Sequence, residues 1–144
     1  MIRRILHPTD FSPASRAALK KAVELAKASR AELTIVHILS PVMPVPGDGY
    51  VSPKVYDDLI ASSHAWAKKQ LAKRVLSAKA AGVRAKGRLM EGVAHEQIVR
   101  AAKRTDLVVM GTHGRSGLAK FFLGSVAGRV VSAAPRPVLT VRGK

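Results

Sequence analysis

The sequence contains no cysteine, which excludes disulfide bonds, thiolate metal sites and cysteine nucleophiles and is compatible with a reducing cytoplasm. Aromatic residues make up only 4% of the chain. A core must therefore be built from Ala, Val, Leu and Ile. No apolar run approaches the roughly 20 residues that a membrane span needs, and the opening MIRRIL is too short an apolar stretch for a signal peptide. We expect a cytoplasmic protein that does not enter a membrane.

Acidic residues are also scarce, since 9 Asp and Glu face 25 Lys and Arg, for a formal net charge of +16. Such an excess attracts polyanions, including nucleic acids. The basic residues are spread along the chain, however. Their densest cluster runs from Lys68 to Arg88 and has no aromatic residue interleaved to stack on bases. The pattern favours a solvated basic surface and leaves a nucleic-acid-associated protein as the alternative.

Apolar periodicity and turn signals divide the chain into alternating strands and helices. Strands are predicted at residues 2–7, 32–39, 83–90, 106–110 and 138–141, and helices at about 13–29, 53–81, 94–104 and 124–134. Ser-Pro pairs at Ser12 and Ser52 begin the first two helices, and Pro8 is expected to end the first strand. The third strand alternates polar and apolar residues and is expected at an edge of the sheet.

This alternation predicts one α/β domain over residues 1–144, with an open five-stranded parallel sheet and helices on both faces. If the strand order is 3-2-1-4-5, the order reverses between strands one and four. Ligands of such sheets lie outside the carboxyl ends of the strands at that reversal. The loops after Pro8 and after Met110 would then meet at one cleft.

A glycine-rich segment follows the fourth strand and holds Gly111, Gly114, Gly117 and Gly124-Ser125. A strand, a glycine loop and a helix start suit phosphate binding, because the first turn of a helix has unpaired N–H groups and partial positive charge. The motifs G-x-x-x-x-G-K-[ST] and G-x-G-x-x-G are both absent, which argues against a P-loop hydrolase and a dinucleotide-binding fold. The glycines could also be ordinary loop residues, and Ser125 a plain helix N-cap.

The spacing Gly111-x2-Gly114-x9-Gly124-Ser125 resembles the nucleotide-binding motif of the universal stress protein family. The segments ILHPTDFS, IVHIL and PRPVLTV extend this resemblance over nearly the whole chain. It implies an adenine-nucleotide alpha-hydrolase-like fold, a homodimer and a role in stress physiology. Members of the family that keep the glycine motif bind ATP, and this sequence keeps it.

The resemblance also implies positions around the nucleotide. Asp10 would lie near the adenine or ribose, and Ile38 would offer its backbone to the adenine. The other implied contacts are Pro8, Thr9 and Met110 near the base, and Gly111, Gly114, Gly124, Ser125 and Val126 near the ribose and phosphates. Arg115 could add charge pairing from within the loop. From the residues alone, Asp10 could instead stabilise the turn before the first helix.

No catalytic residue is predicted, because Asp10 is the only carboxylate expected in the cleft and no general base is evident. Asp10 could support Mg²⁺ through the phosphates of ATP. The histidines His7, His64 and His95 lack metal-ligand spacing, and His37 is expected to be a core or sheet-edge residue. We therefore expect a nucleotide-responsive regulator with at most slow ATP hydrolysis, and a genuine ATP hydrolase is a further alternative.

The last predicted strand, Val138 to Val141, offers a route to the expected homodimer. A strand at the edge of a sheet exposes unpaired N–H and C=O groups. Pairing with its copy in a second chain would give a two-fold dimer and would remove that edge.

Overall fold

The structure, a computed structural model, describes residues 1–41, 52–113 and 123–143. Its elements follow the predicted alternation of strands and helices. They are β1 (Arg4–Pro8), α1 (Pro13–Ser29), β2 (Glu32–Leu39), α2 (Pro53–Ala80), β3 (Ala85–Glu91), α3 (Ala94–Ala102), β4 (Leu107–Gly111), α4 (Ser125–Ala133) and β5 (Val138–Val141).

The five strands form one sheet in the order β3-β2-β1-β4-β5, and every neighbouring pair is parallel. The predicted strand order and fold class are therefore confirmed, and β3 and β5 are the two edges. Because β1 lies between β2 and β4, the strand order reverses beside β1. The carboxyl ends of β1 and β4 are neighbours there, as the sequence analysis expected.

The helices cover both faces of the sheet, and each face has its own apolar core. On one face, α1 and α2 pack over Ile5, Leu33, Ile35 and Val109. On the other face, α3 and α4 pack over a second set of strand residues, Leu6, Val36, Val108 and Met110. Successive residues of β1, β2 and β4 thus alternate between the two cores, which is why these strands read as continuous apolar runs.

Both Ser-Pro pairs begin helices as predicted. The Ser12 hydroxyl accepts a hydrogen bond from the Ser15 N–H (3.2 Å), and the Ser52 hydroxyl accepts one from the Val55 N–H (3.2 Å). The helix α2 buries only three small or apolar residues along its 28-residue length. Among the described residues, no helix is both long enough and apolar enough to cross a membrane.

The prediction for the third strand was wrong at its start. Val83 is buried, and its N–H donates to the Ala78 carbonyl (3.2 Å). Val83 therefore belongs to the turn that closes α2, and β3 begins two residues later at Ala85. The helix α3 also ends at Ala102, two residues before the predicted end, since the N–H groups of Arg104 and Thr105 turn back to Ala101 and Ala102.

The first strand was predicted to stop before Pro8, but the structure includes Pro8, which pairs with Val36 of β2. On the β4 side the register ends at Leu6 opposite Val108. The next hydrogen bond between β1 and β4 would run from the backbone N–H of residue 8 to the Val109 carbonyl, but residue 8 is proline, which has no N–H. The imidazole of His7 takes its place, since Nδ1 lies 2.9 Å from the Val109 oxygen, and a carbonyl can only accept.

Candidate functional site

A cleft of about 380 Å³ lies at the carboxyl ends of β1, β2 and β4. It collects nine of the residues that the resemblance assigned to a nucleotide site. They are Pro8, Thr9, Asp10, Ile38, Met110, Gly111, Gly124, Ser125 and Val126. The other two predicted residues, Gly114 and Arg115, lie outside the described part of the chain. The cleft volume falls in the range of roughly 300–1,000 Å³ that small-molecule sites occupy.

Asp10 stabilises the turn between β1 and α1, which was the alternative role that its residue type suggested. Its Oδ1 accepts hydrogen bonds from the Ser12 N–H (2.9 Å) and the Ser15 hydroxyl (2.6 Å). Partial burial raises the pKa of Asp10, but the hydrogen bonds from Ser12 and Ser15 outweigh burial and leave this pKa below its ordinary value. The cleft therefore contains a carboxylate that is both ionised and held in place.

Phe11 follows Asp10 in the left-handed backbone region, with φ at 64°, a conformation that costs a residue with a β-carbon roughly 1–2 kcal/mol. Its ring is buried and stacks on His37 with ring centres 4.4 Å apart. Trp66 packs edge-on against the same ring at 5.5 Å. These aromatic contacts hold the strained residue, and with it the loop that forms one wall of the cleft.

His37 is a residue of the cleft wall whose position the sequence analysis did not foresee. It was expected to be a core or sheet-edge residue, and it is half-buried in β2 beside the cleft. Its Nδ1 lies 2.7 Å from the Thr9 carbonyl and must donate to it. His37 thus supports the backbone of the predicted site. The available sequence signal was its position beside Ile38, at the carboxyl end of a strand next to β1.

The two described glycines of the motif are required by close backbone packing. A β-carbon on Gly111 would lie 3.1 Å from the carbonyl carbon of Ala14 in α1, and one on Gly124 would lie 3.1 Å from the Cα of His113. Both distances are shorter than ordinary van der Waals contact. Because Gly111 has no side chain, the end of β4 can pack directly on α1. Because Gly124 has none, the start of α4 can pack directly on the loop after β4. Packing therefore explains these glycines even without a ligand.

The helix α4 begins at the cleft, but its N-cap is Gly124 and Ser125 is its first residue. The interpretation of Ser125 as a plain N-cap is therefore wrong. The Gly124 N–H donates to the Thr112 carbonyl (2.6 Å), and no described side chain caps the first turn. The N–H groups of this turn lack partners within the helix, so the cleft is lined by a helix end suited to an anion.

A shallower depression adjoins the cleft and shares Gly124 and Ser125 with it. His95 from the first turn of α3 and Arg129 and Ser132 from α4 line this depression. Arg129 is not among the site residues predicted from the sequence. Its spacing of four residues from Ser125 was the available signal, since residues four apart share one face of a helix.

The described lining of the cleft contains a single carboxylate, that of Asp10. Within residues 1–41, 52–113 and 123–143, no cluster of three or more His, Cys, Asp or Glu side chains could hold a metal ion. Asp10 could reach a divalent cation only together with oxygen atoms from a ligand. The arrangement is suited to binding a small anionic molecule with an apolar portion, since Ile38, Ile98 and Met110 also line the cleft.

Comparison with known proteins places this chain in a family. The family model for the universal stress protein family matches residues 1–142. Universal stress protein MJ0531 of Methanocaldococcus jannaschii is 36% identical over 146 residues, which cover 99% of this chain and 83% of that protein.

Two solved structures agree with this result. The structure of protein MJ0577 of the same organism has a TM-score of 0.84 at 27% identity and covers 100% of this chain and 98% of its own. A universal stress protein solved in complex with cAMP has a TM-score of 0.73 at 26% identity, covering 99% of each chain. The chain belongs to the universal stress protein family.

Proposed function

We propose that this protein binds an adenine nucleotide, with ATP as the expected ligand, in the cleft between the ends of β1 and β4. The observation that carries the proposal is the convergence of nine expected contact residues, from four separate elements and loops, on one cleft of about 380 Å³. The similar universal stress protein solved with cAMP supports an adenine nucleotide as the ligand class. Nucleotide occupancy would then be the signal that this regulator transmits in stress physiology.

The base would occupy the apolar end of the cleft. Ile38, Ile98 and Met110 would form that end, and Ile98 of α3 and Met110 of β4 are buried in the core between the sheet and the helices α3 and α4. Backbone groups of β2 around Ile38 can supply the directional hydrogen bonds that distinguish adenine from other bases. The loop from Thr9 to Asp10, held by His37 and Ser15, would contact the ribose.

The phosphates would lie at the start of α4. The first turn of this helix offers N–H groups without partners in the helix, together with the exposed hydroxyl of Ser125. Arg129 lies one turn further along and lines the adjoining depression. A guanidinium there would favour the outer phosphates of ATP over the single phosphate of AMP. Arg129→Gln should therefore weaken ATP binding more than AMP binding.

A matched pair of glycine substitutions in α4 tests the site. In Gly124→Ala the new β-carbon would lie 3.1 Å from the His113 Cα and displace the helix start. In Gly128→Ala, one turn later, the β-carbon meets nothing within 4 Å. Calorimetric titration with ATP should show at least a tenfold loss of affinity for Gly124→Ala and no loss for Gly128→Ala. Equal affinity of both variants and the wild type would overturn the site assignment.

We expect at most slow hydrolysis of the bound ATP. Rapid phosphoryl transfer to water needs a group that positions the water and groups that stabilise the transition-state charge. The Oδ1 atom of Asp10, the single carboxylate of the described cleft lining, already accepts two hydrogen bonds from the α1 start. Asp10 could still hold Mg²⁺ through the nucleotide's phosphates. Rapid phosphate release that Asp10→Ala abolishes would establish a true ATP hydrolase instead.

We also propose that the protein forms a homodimer through β5. Both β3 and β5 are edge strands, but β3 carries Lys86 and Arg88, which oppose edge-to-edge pairing. The strand β5, Val138–Val141, has no charged residue and exposes Leu139 by 38%. Leu139→Lys should convert a dimer to a monomer in light scattering. A wild type that is monomeric at micromolar concentration would refute this pairing.

A further inference from the structure

The amino ends of the strands carry a row of arginines that forms only when the chain folds. Each of the five strands begins at an arginine or within three residues after one. We call this set the arginine row: Arg84 before β3, Arg30 before β2, Arg3 and Arg4 at β1, Arg104 before β4 and Arg136 before β5. All six side chains are exposed. With strands about 4.8 Å apart, the row spans roughly 19 Å along one edge of the sheet.

Hydrogen bonds between neighbouring strands show that the row is continuous from β3 to β4. The Arg84 guanidinium donates to the Arg30 carbonyl (3.3 Å). The Glu32 N–H donates to the Arg3 carbonyl (2.9 Å), and the Asp106 N–H donates to the Arg4 carbonyl (2.8 Å). The parallel strands thus bring together arginines that lie up to 133 positions apart in the sequence (136 minus 3).

The carboxylates at this edge are already engaged. Asp106 Oδ2 accepts hydrogen bonds from the N–H groups of Arg3 and Arg4, each at 2.9 Å. Glu32 pairs with Lys86 at 2.7 Å. Hydrogen bonding and neighbouring positive charge keep the pKa of each carboxyl below its ordinary value. Among the described residues, no carboxylate oxygen lies within 4.0 Å of the guanidinium groups of Arg30, Arg84, Arg104 or Arg136.

Helix electrostatics account for only part of the row. Cations near a helix C-terminus offset its partial negative charge, and Arg30, Arg84, Arg104 and Arg136 each follow a helix (α1, α2, α3 and α4) within four residues. Arg3 and Arg4 follow no helix. Moreover, the remaining described carboxylates lie away from this edge: Glu24 in the middle of α1, and Asp10, Asp57, Asp58, Glu91 and Glu96 at strand ends or helix starts on the cleft side. Six of the eight described carboxylates therefore lie away from the arginine row.

We propose that the arginine row binds the phosphate backbone of double-stranded nucleic acid without reading its sequence. Guanidinium groups suit phosphodiesters, because their N–H groups can make paired hydrogen bonds to two phosphate oxygens. The described aromatic side chains lie elsewhere: Phe11 is in the loop after β1, Tyr56 is in the first turn of α2 beside the end of β2, and Trp66 is further along α2. The row therefore lacks the stacking surface that single strands require and the aromatic anchors typical of membrane-surface binding.

Fluorescence anisotropy with a labelled 20-base-pair duplex, at 50 and 200 mM salt, tests this proposal. The test variant is R30Q/R84Q/R104Q/R136Q. The matched control, K20Q/K54Q/K69Q/K73Q, removes the same number of positive charges from exposed positions on α1 and α2. In the test variant, Kd should rise tenfold or more at 50 mM salt. The slope of log K against log salt should fall in magnitude by about 0.9 for each phosphate that the variant no longer neutralises.

The control should bind the duplex within about threefold of the wild type, because affinity depends on the phosphates that the protein touches rather than on its total charge alone. A wild type that does not bind at 50 mM salt overturns the proposal, as does an equal loss in both variants. Tighter binding to the single strand, or to phosphatidylserine vesicles in place of the duplex, also overturns it. If the fourfold variant melts early, R30Q/R136Q replaces it and should show about half of the change in slope.

Discussion

Acid should destabilise this protein through His7, whose imidazole makes the hydrogen bond to the Val109 carbonyl that Pro8 cannot make. His7 is fully buried and donates through Nδ1 to the Val109 carbonyl. Its Nε2 has no hydrogen-bond partner among the described residues. Desolvation lowers the pKa of His7 from 6.5 to about 4, although the Val109 carbonyl and Asp10 favour the charged form and Arg74 opposes it. Protonation of Nε2 would bury a charge and an N–H without an acceptor.

The direction and size of the effect follow from proton linkage. Because the pKa is lower in the folded chain, the unfolded chain binds more protons between pH 6.5 and pH 4. Stability is therefore unaffected above pH 6.5, falls as the pH drops through this window, and levels off below pH 4. The His7 contribution should lower the free energy of unfolding by about 2 kcal/mol at pH 5 relative to pH 7.5, and by about 3 kcal/mol at the acid limit.

Urea denaturation of the wild type and His7→Asn, followed by circular dichroism at both pH values, measures this contribution. The asparagine side chain can keep an N–H donor near the Val109 carbonyl but does not titrate. Loss of the ring leaves a cavity that costs the variant stability at every pH. Only the pH dependence is compared, so that cost cancels. If wild type and His7→Asn lose equal stability between pH 7.5 and pH 5, His7 is not the buried group that senses acid.

Three other predictions concern the cleft and its walls. His37→Asn should keep ATP affinity within about threefold of the wild type, because asparagine can still donate a hydrogen bond to the Thr9 carbonyl. His37→Leu removes the donor and should lower ATP affinity tenfold or more in calorimetry. Equal losses of affinity in both variants would contradict a role for the donor. Trp66 is the only tryptophan and touches Phe11, so ATP binding should change the tryptophan fluorescence. An unchanged emission spectrum at saturating ATP would show that the aromatic cluster does not respond to the ligand. Gly111→Ala should lower the free energy of unfolding by about 1–3 kcal/mol in urea titrations, since the new β-carbon would press on the Ala14 backbone. Unchanged stability would show that α1 shifts to make room for the β-carbon at no cost.

Much of the fold could be predicted because local signals and tertiary demands agree along most of the chain. The Ser12-Pro13 pair favours a helix start by residue type, and α1 begins there in the structure. The apolar runs of β1, β2 and β4 match strands that are buried on two faces. The end of β1 was mispredicted because a rule for isolated strands placed the stop before Pro8. The rule leaves out side chains, and here the His7 imidazole supplies the hydrogen bond to the Val109 carbonyl that Pro8 cannot make.

The cleft was predictable only where the family resemblance reached it. Nine expected residues meet there, but the support from His37 depends on where the Thr9 carbonyl points after folding. Phe11 has a positive φ that its residue type does not favour, so no turn rule anticipates it. The arginine row was hidden for a similar reason: its members are scattered along the chain, and only the strand order brings them to one edge.

The parallel direction of the strands determines how two charged ligands would share this molecule. The strand β1 runs five residues from Arg4 to Pro8, a length of roughly 16 Å. That distance exceeds the Debye length of about 8 Å in physiological salt, so a nucleotide and a polyanion at opposite ends would hardly repel each other. A molecule docked by its arginines would turn its cleft outward to bulk solvent. Nucleotide could then exchange repeatedly while the protein remains anchored.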